Sequence, residues 1–502
     1  MDRHACQFFC LLLLLPIMPA AAQQGTRISP RLLTEAGKSL DGDGLRPVVL
    51  WPAAGHRLAL PASAAGRTQI REDDTVLVRL SLAEIITLSD DDAIAYAAPQ
   101  EQIVPPTDID EPLPPDDGGI GKALRVLPGN DGAGVRIGII DFGSIPPGAA
   151  ARANLVAETR LGREPSPHMA LVAQIVSQFA PDAELYTVSL SPGRSNTQDI
   201  ITAARWLAEQ NVRIINFSGV SYQGRRDGRA PLDRFVDTLA RRGILWVSAA
   251  GNEAQRSWSG ASVDRDDNGL VDVAGSDSRD AITLTATGGP VQVAITWDDW
   301  GSVLGVPAGL WRVGATLVDD AGKAIATARS GRFLGIGEPV ASLDLTQLPA
   351  GRYRLQLTAA GGTTPVQIHV AATGAVARLS PAVAATSIGN PGTAAAALTV
   401  SAVAAPGFAT TAYSGRGPTL DGRAKPEIAA LGYAEGRNRG TSYAVPRITA
   451  LAARILGENP SLTVAALKAR VLGASVPVNG RRSAGGEAPL WLDSRPAETT
   501  GN

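Results

Sequence analysis

The sequence predicts an α/β protein built on a doubly wound, mostly parallel sheet. Short apolar strands alternate with helical stretches from residue 120 to about 257, and this alternation returns near residue 395. Alternating strands and helices are typical of a parallel sheet with helices on both faces. Between the two stretches, short strand candidates follow one another without helical spacing. They predict an inserted β-sandwich, and a small α+β region precedes residue 120.

The elements of the first alternating stretch follow in chain order. In the first helix, Val172, Ile175, Val176 and Phe179 share one face, as expected for a helix packed on a sheet. Sites in such sheets lie at the carboxyl ends of the strands. The predicted strands are GVRIGIID (134–141), AELYTVSL (183–190), VRIINFSG (212–219) and ILWVSAAGN (244–252), and the helices are HMALVAQIVSQF (168–179), TQDIITAARWLAEQ (197–210) and LDRFVDTLARRG (232–243).

Changes of pattern divide the chain into six segments. A weakly basic start, an apolar stretch and three alanines before residue 23 are typical of a cleaved secretory signal. A linker rich in Pro and Asp at 104–119 is expected to be extended and exposed. The predicted segments are a signal peptide (1–22), an N-terminal region with its linker (23–117), the first part of the α/β domain (118–257), the inserted β-sandwich (258–379), the second part of the α/β domain (380–475) and an exposed tail (476–502).

Composition narrows the possible partners. The net charge is −2, and 19% of the residues are charged. Nucleic acids and anionic membranes require a basic patch, so neither is expected as the main partner. Beyond the signal, no segment is long and apolar enough to predict a transmembrane helix. The signal predicts export, to a periplasm or to the extracellular space.

Few residue types remain for covalent chemistry. Both cysteines, Cys6 and Cys10, lie within the predicted signal. A mature chain would then have no disulfide, no thiolate metal site and no cysteine nucleophile. Of the four histidines, only His168 lies in the α/β domain, so it is the candidate base there.

Residues with reactive side chains lie at the ends of predicted strands and at the start of a predicted helix. Asp141 ends one strand, Asn252 ends another, and Ser442 begins an apolar helix. Backbone N–H groups at a helix N-terminus can stabilise an oxyanion. Each residue also has an ordinary structural explanation, because Asp141 and Ser442 can cap helices and Asn252 can fill a turn. Together with His168 they supply an acid, a base, a nucleophile and an amide donor, which favours a catalytic site.

Several blocks resemble the signatures of the subtilisin-like serine protease family. They cover roughly 120–257 and 380–475, and the order of acid, base and nucleophile agrees. The resemblance implies a subtilisin-like fold and a secreted endopeptidase that hydrolyses peptide bonds through an Asp-His-Ser triad and an acyl-enzyme. The blocks are IGIIDFG, HMALVAQIV with APDAELY, NFSG, VSAAGNE, YSGRGPTLDGRAKPEIAALG and GTSYAVPRITALAARI.

The resemblance also assigns roles. It makes Asp141 the orienting acid, His168 the general base, Ser442 the nucleophile and Asn252 the oxyanion-hole donor. Protein or peptide substrates are the expected partners, and no cofactor is required for the chemistry. The substrate-binding residues expected from the block NFSG are Ser218 and Gly219.

The chain departs from the family pattern near the triad. Phe142 follows the acid where Ser or Thr is usual, and Met169-Ala170 follow the base where Gly-Thr is usual. Met169 is expected to crowd the cleft or to narrow the side chain that it accepts. Arg447, where histidine is common, is expected to lie away from the proton relay. No departure removes a reacting group.

Two alternatives to an active protease are compatible with a subtilisin-like or serine-hydrolase pattern. A catalytically weakened or inactive subtilisin-like scaffold acting as a binding protein is the main one, with the inserted sandwich as its working part. A different serine hydrolase, such as an esterase, is disfavoured because the chain has no Gly-x-Ser-x-Gly elbow and its acid precedes the base and the nucleophile.

The family resemblance gives the N-terminal region a meaning. Related proteins often carry a propeptide that assists folding and blocks the cleft until it is cut. Residues 23–117 are placed to act as such an intramolecular inhibitor, and the linker is a protease-sensitive connector. A permanently attached accessory domain is the alternative.

An acidic turn in VDRDDNGLVD (263–272) imitates the start of a calcium loop. Structural calcium is therefore possible, with Asp264, Asp266, Asn268 and Asp272 as weak candidate ligands. The acid expected at the twelfth position of such a loop is replaced by Gly275. A hydrated acidic turn without a metal is the preferred interpretation.

Overall fold

The structure is a computed structural model in which two units are distinguished: residues 1–100 with 260–370, and residues 101–259 with 371–502. The predicted signal, the tail at 476–502 and all of the linker after Val104 up to residue 119 lie outside the described residues. The structure describes residues 32, 44–53, 55–64, 66–67, 69–72, 75–89, 91, 93–104, 130–146, 155–162, 166–276, 279–300, 311–329, 339–404, 408–434 and 438–475.

The second unit contains an eight-stranded, mostly parallel sheet. Its strand order is β18-β17-β9-β8-β5-β7-β6, and β19 also pairs with β17. Only the pairing of β17 with β18 is antiparallel among the registers of this sheet. The strands are β5 (Arg136–Phe142), β6 (Leu155–Arg160), β7 (Glu184–Leu190), β8 (Ile214–Phe217), β9 (Leu245–Ala249), β17 (Leu398–Ala404), β18 (Ala409–Thr410) and β19 (Ile428–Leu431). This is the predicted subtilisin-like α/β fold.

Five helices pack with this sheet in the described part of the second unit. The second-unit core joins the apolar faces of α2 and α5 to the sheet, and Val172, Val176, Ile448 and Leu451 are fully buried in it. Asn196 caps α3 by accepting from the backbone of Gln198, as its position before an apolar helix favours. The helices are α2 (His168–Phe179), α3 (Thr197–Glu209), α4 (Pro231–Arg241), α5 (Thr441–Glu458) and α6 (Val464–Gly473).

The register of the parallel strands aligns their carboxyl ends. Ile140 of β5 pairs with Phe217 of β8, and Phe217 pairs with Ser248 of β9. The residues that follow these strands therefore leave the sheet at one edge. This alignment is the reason that polar groups far apart in the sequence meet there.

The strands of the predicted insertion form one antiparallel sheet with the order β10-β16-β11-β15-β12-β13, and β14 also pairs with β11. The long strand β11 changes partner along its length: Ile282 to Ala286 pair with β15, and Gly289 to Thr296 pair with β14. The strands are β10 (Ser257–Ala261), β11 (Ile282–Trp297), β12 (Arg312–Val318), β13 (Ala324–Arg329), β14 (Val340–Leu348), β15 (Gly351–Ala360) and β16 (Gln367–Ser380).

The N-terminal region is a small α+β fold with its own core. Its antiparallel sheet has the order β2-β3-β1-β4, and one α-helix packs with it among the described residues. Val48, Leu50, Val76 and Ile85 belong to its buried apolar cluster. The elements are β1 (Leu45–Pro52), β2 (Gln69–Glu72), β3 (Thr75–Ser81), α1 (Leu82–Ser89) and β4 (Ile94–Pro99).

No helix in the described ranges has the length and apolar character needed to cross a membrane.

A buried lysine beside β17 and β19 links stability to pH. Lys425 donates to Glu427 at 3.0 Å and to the Ala397 carbonyl at 2.8 Å, and Lys468 also donates to Glu427, at 2.7 Å. Burial lowers the pKa of Lys425 from 10.5 to about 8, against the attraction of Glu427. The folded state therefore binds this proton less tightly than the unfolded state does. Between pH 8 and 10.5, stability should rise with pH, by at most about 1.4 kcal/mol per pH unit from this group.

Replacing Lys425 by methionine should remove that rise. Glu427 keeps Lys468 as a partner, so the variant does not leave a buried carboxylate unpaired. Urea unfolding at pH 7.5 and pH 9.5 should give a larger gain in the free energy of unfolding for the wild type than for the variant. Equal gains in the two proteins would contradict the prediction.

Candidate active site

The site is organised around a direct contact between Asp141 and His168. Asp141 is the penultimate residue of β5 and is fully buried, and His168 is the first residue of α2. Asp141 Oδ1 and His168 Nδ1 are 2.6 Å apart. This hydrogen bond fixes the orientation of the imidazole, and Nε2 is the ring nitrogen left for proton transfer. Neutral histidine bonded in this way carries its proton on Nδ1.

Gly143 brings the two elements together. It has a φ of +85°, and a Cβ at this position would lie 2.1 Å from the Ser166 carbonyl oxygen. Only glycine allows the chain that leaves β5 to pass so close to the turn before α2. The Asp141–His168 contact therefore depends on a glycine that follows the acid by two residues.

Ser442 lies at the start of α5. It is buried, and its Oγ has no hydrogen-bond partner among the described residues. The ring of the next residue, Tyr443, packs against the imidazole of His168 with centroids 5.4 Å apart. Ser442 is thus next in the chain to a residue that contacts the imidazole, and its hydroxyl makes no hydrogen bond to His168. Catalytic hydrogen bonds are often long in a free enzyme and shorten when substrate binds.

Asn252 joins the end of β9 to the start of α5. Its Oδ1 accepts from the backbone N–H and from the hydroxyl of Thr441, both at 2.9 Å. Its Nδ2 would lie 2.8 Å from a Cβ at Gly440, whose φ is +147°. The amide oxygen is therefore occupied by the helix, and the amide N–H₂ lies beside the residue that enters it. A donor at the N-terminus of α5 is suited to a developing oxyanion.

Ser218 and Gly219 follow β8 and connect the end of this strand to Ser442. Ser218 is buried, and its Oγ is 3.4 Å from the Ser442 carbonyl oxygen. A Cβ at Gly219 would lie 2.8 Å from the Phe217 ring and 3.0 Å from Ile103 Cγ2. The structure thus brings all six predicted residues, Asp141, His168, Ser442, Asn252, Ser218 and Gly219, to one edge of the sheet.

A short segment of the chain is hydrogen-bonded to the two stretches that follow β7 and β8 at this edge. Ile103 N–H donates to the Ser195 carbonyl at 2.9 Å. Val104 N–H donates to the Val220 carbonyl at 2.9 Å, and Val220 N–H donates back to Val104 at 3.3 Å. We call Glu101–Val104 the docked segment. Both of its bridges, at Gln102–Asn196 and Val104–Val220, are antiparallel, so it lies in extended pairing between the two stretches.

Sequence reasoning missed this segment because the following prolines and acids dominate the pattern. The predicted exposed linker begins at Val104, but in the structure Val104 is half-buried and paired with Val220. Ile103 is fully buried. The sequence signal that could have indicated docking is the apolar pair Ile103-Val104, which directly precedes a linker that has few apolar residues.

The departures from the family pattern near the triad fall mostly on buried apolar positions. Met169 is fully buried in the second-unit core, together with Ile139 and Val172, so the expectation that it crowds the cleft is wrong. Phe142 is also buried. Arg447 donates to the Leu431 carbonyl at 3.1 Å and lies over the rings of Phe179 and Tyr433. Burial lowers the pKa of Arg447 to about 10, so it remains a cation.

The acidic turn is held by its own chain. Asp264 accepts from the backbone N–H groups of Asn268 and Gly269, at 3.2 and 2.7 Å. Asp272 accepts from Arg265 and Arg279, at 3.0 and 3.1 Å. Among the described residues, the carboxylates close enough to share an ion are Asp266, Asp272 and Asp280, a set that includes only two of the four candidates. The two arginines would compete with a cation at Asp272, and structural calcium at this turn stays a prediction.

The fold and this arrangement define the class of protein. The chain belongs to the subtilase family, whose family model matches residues 149–298 and 340–488. The matched ranges contain His168, Asn252 and Ser442 and begin after Asp141. The position of Asp141 therefore rests on its contact with His168 rather than on the family match.

Two solved protease structures are similar to this chain, and the first of them supports the fold. The CspB protease of Clostridium perfringens is 15% identical, with a TM-score of 0.54, and the match covers 72% of this chain and 91% of that chain. The prenylagaramide maturation protease PagA is 14% identical, with a TM-score of 0.39, over 73% of this chain and 92% of that chain. No curated protein matches the sequence.

Replacing Asn252 should test its amide. In Asn252→Asp the Oδ1 acceptor for Thr441 remains, but the N–H₂ donor is lost. If this donor stabilises an oxyanion, kcat should fall by roughly 10²- to 10³-fold with little change in KM. Steady-state kinetics on a peptide substrate would measure this, with thermal unfolding as the control for the fold. An unchanged kcat in a folded variant would exclude the role.

Proposed function

We propose that this protein is an exported serine endopeptidase that hydrolyses peptide bonds through Asp141, His168 and Ser442. The observation that carries the proposal is the 2.6 Å contact between buried Asp141 and His168, at the sheet edge where Ser442 begins α5. A buried carboxylate that orients an imidazole allows the imidazole to act as the general base for a serine nucleophile at the same edge of the sheet. Export rests on the N-terminal signal pattern alone.

In the proposed mechanism, each group has one task. His168 Nε2 takes the proton of Ser442 as its Oγ attacks the substrate carbonyl carbon. Asp141 holds the Nδ1 proton and stabilises the imidazolium that forms. Asn252 Nδ2 and the backbone N–H of Ser442 donate to the oxyanion. His168 then protonates the leaving amine. In the second half of the reaction His168 takes a proton from water, which attacks the acyl-enzyme carbonyl, and returns the proton to Ser442 Oγ as the acid product leaves.

The docked segment indicates how a peptide would lie in the cleft. Val104 pairs with Val220 in antiparallel register, so a peptide residue two positions later would lie opposite Ser218. The Oγ of Ser218 is 3.4 Å from the Ser442 carbonyl oxygen. A substrate bound as this segment is would therefore be directed at the nucleophile. This geometry favours an endopeptidase, since the peptide continues in both directions.

The same contacts support an intramolecular inhibitor. The docked segment follows the N-terminal region directly and uses the edge N–H and C=O groups that a substrate strand needs. While it is bound, substrate is excluded. The segment would compete at a very high effective concentration because it is part of the same chain. Cleavage within the linker would then relieve the inhibition.

The test of the proposed protease is hydrolysis of fluorescein-labelled casein, together with labelling by a fluorophosphonate probe. Hydrolysis that the probe abolishes would support the proposal. A folded protein that neither hydrolyses casein nor reacts with the probe, even after limited proteolysis of the linker, would favour the binding-protein alternative.

Replacing Ile103 by glutamate tests the inhibitor. The side chain of Ile103 is fully buried, so a charged replacement should weaken docking and speed probe labelling of the unprocessed chain, by at least about tenfold. The matched control is Ile86→Glu in α1, where the isoleucine is 37% exposed. Equal labelling rates in the two variants would contradict inhibition by this segment.

A further inference from the structure

The side chain of Glu101 enters a polar cluster beside the docked segment. Its Oε2 accepts from Asn390 Nδ2 at 3.0 Å. A Cβ at Gly224 would lie 2.0 Å from Glu101 Oε1 and 2.3 Å from its Cδ, so a side chain at this position would displace the carboxylate from where it lies. We call Gly224 and Asn390 the Glu101 subsite. Nothing in the triad chemistry requires either residue.

Asn390 is rigidly held on the cleft wall. Its backbone exchanges two hydrogen bonds with Ser221, both at 2.9 Å, and Ser221 follows the Val220 that pairs with the docked segment. Asn390 is also fully buried. Its amide is therefore part of the same wall that binds the peptide backbone. A side chain on the peptide meets it without any movement of the wall.

The amide of Asn390 is oriented by a buried network. Thr393 Oγ1 lies 2.7 Å from Asn390 Oδ1 and 3.0 and 3.1 Å from the two oxygens of Asp233. Burial, and then the nearby Glu101 carboxylate, raise the pKa of Asp233 well above its usual range. Thr393 Oγ1 can donate to Asn390 Oδ1, which occupies the amide oxygen, and Asn390 Nδ2 is the atom that donates to Glu101. The N–H₂ of Asn390 is thereby aimed at Glu101.

We infer that Gly224 and Asn390 form a substrate subsite that selects a glutamate, five residues before the peptide residue opposite Ser218. The inference rests on the proposed protease function and names its substrate class: peptides with glutamate at this position. The register follows from the pairing of Val104 with Val220, since Glu101 lies three residues before Val104 and the residue opposite Ser218 lies two after it. In the structure, Glu101 of the same chain occupies the subsite in place of a substrate glutamate.

Glutamate fits the subsite better than related side chains do. Its carboxylate accepts a charge-assisted hydrogen bond, which is stronger than the bond that a glutamine oxygen accepts from the same donor. Aspartate is one methylene shorter and falls short of Asn390. Alanine leaves the Asn390 donor without the carboxylate and leaves empty space above Gly224.

The first experiment is independent of catalysis. Hydrogen exchange is measured by mass spectrometry on the full chain carrying Ser442→Ala, in the fragment that contains 101–104. Glu101→Ala and Gly224→Ala should each speed exchange of the docked amides by roughly tenfold, and Glu101→Gln by less. Glu209→Gln, at an exposed acid in α3, is the control and should change nothing. The double variant distinguishes the subsite from a general disturbance of the fold: because Gly224→Ala acts by displacing the Glu101 carboxylate, exchange in Glu101→Ala/Gly224→Ala should be no faster than in Glu101→Ala alone.

The second experiment uses linker-cleaved wild type and the peptide EQIVPPTDID, which is residues 101–110 of this chain. Replacing its first residue by Gln or Ala should lower kcat/KM, by roughly tenfold for Ala. Equal kcat/KM for the three peptides would overturn the subsite, as would exchange rates unchanged by Glu101→Ala and Gly224→Ala. If none of the peptides is hydrolysed, the proposed function fails, and the exchange rates alone decide the subsite.

Discussion

Replacing Ser442 by alanine should abolish peptide hydrolysis, with a fall in kcat of about 10⁶-fold. The expected loss is this large because the triad acts as a unit: without Oγ, the Asp141–His168 pair has no nucleophile to deprotonate. Residual hydrolysis would come from the oxyanion donors and from binding alone. Probe labelling should vanish completely, since the probe reacts with the same oxygen.

The fold should survive this substitution. The Ser442 hydroxyl has no hydrogen-bond partner among the described residues, so its removal leaves no donor or acceptor unpaired there. Ser257→Ala is a matched control, because Ser257 is also buried and its hydroxyl is likewise unbonded within the described part of the chain. It should retain full activity. Activity that persists in Ser442→Ala would assign the nucleophile elsewhere.

Replacing Asp141 by asparagine should lower kcat by about 10⁴-fold and leave KM nearly unchanged. The amide is almost isosteric, but its N–H₂ can donate to Nδ1 and so favour the histidine tautomer with its proton on Nε2. That tautomer cannot accept the Ser442 proton. The substitution also removes the negative charge that stabilises the imidazolium, because the amide is neutral. Steady-state kinetics, with kcat and KM determined separately, would show this division.

A charge-matched control separates orientation from general electrostatics. Asp182→Asn removes an exposed carboxylate shortly after α2 and should change kcat by less than about twofold. If the two variants behave alike, the 2.6 Å contact of Asp141 with His168 has no special role. A loss of probe labelling in Asp141→Asn alone would support the proposed activation of Ser442.

Asp141 and His168 could be proposed as a pair because their chemistry is rare in such positions, whereas Ser218 and Gly219 rest on the family resemblance alone. A carboxylate such as Asp141 at the end of a buried apolar strand costs free energy unless it is paired, so its partner could be sought. Only one histidine, His168, lay in the α/β domain. The alternation of strands and helices then placed both at the carboxyl edge of one sheet.

Met169 shows where local reasoning failed. Its position next to the base suggested a side chain in the cleft, but successive residues of a helix point about 100° apart. His168 faces Asp141, and Met169 turns into the second-unit core. Being next to His168 in the chain therefore does not place Met169 on the same face of the helix. A helical period drawn from Val172 and Val176 would have placed Met169 on the buried face.

By itself, the sequence predicted the α/β alternation, a β-rich stretch and the candidate reacting groups, because these depend on local periodicity and on residue types. Only the tertiary structure decided which distant groups touch. The docking of Glu101–Val104 and the meeting of Glu101 with Gly224 and Asn390 depend on hydrogen bonds between segments up to 289 residues apart. Such pairing leaves no periodic trace in the sequence, since any extended segment can offer the same backbone groups to an open strand edge.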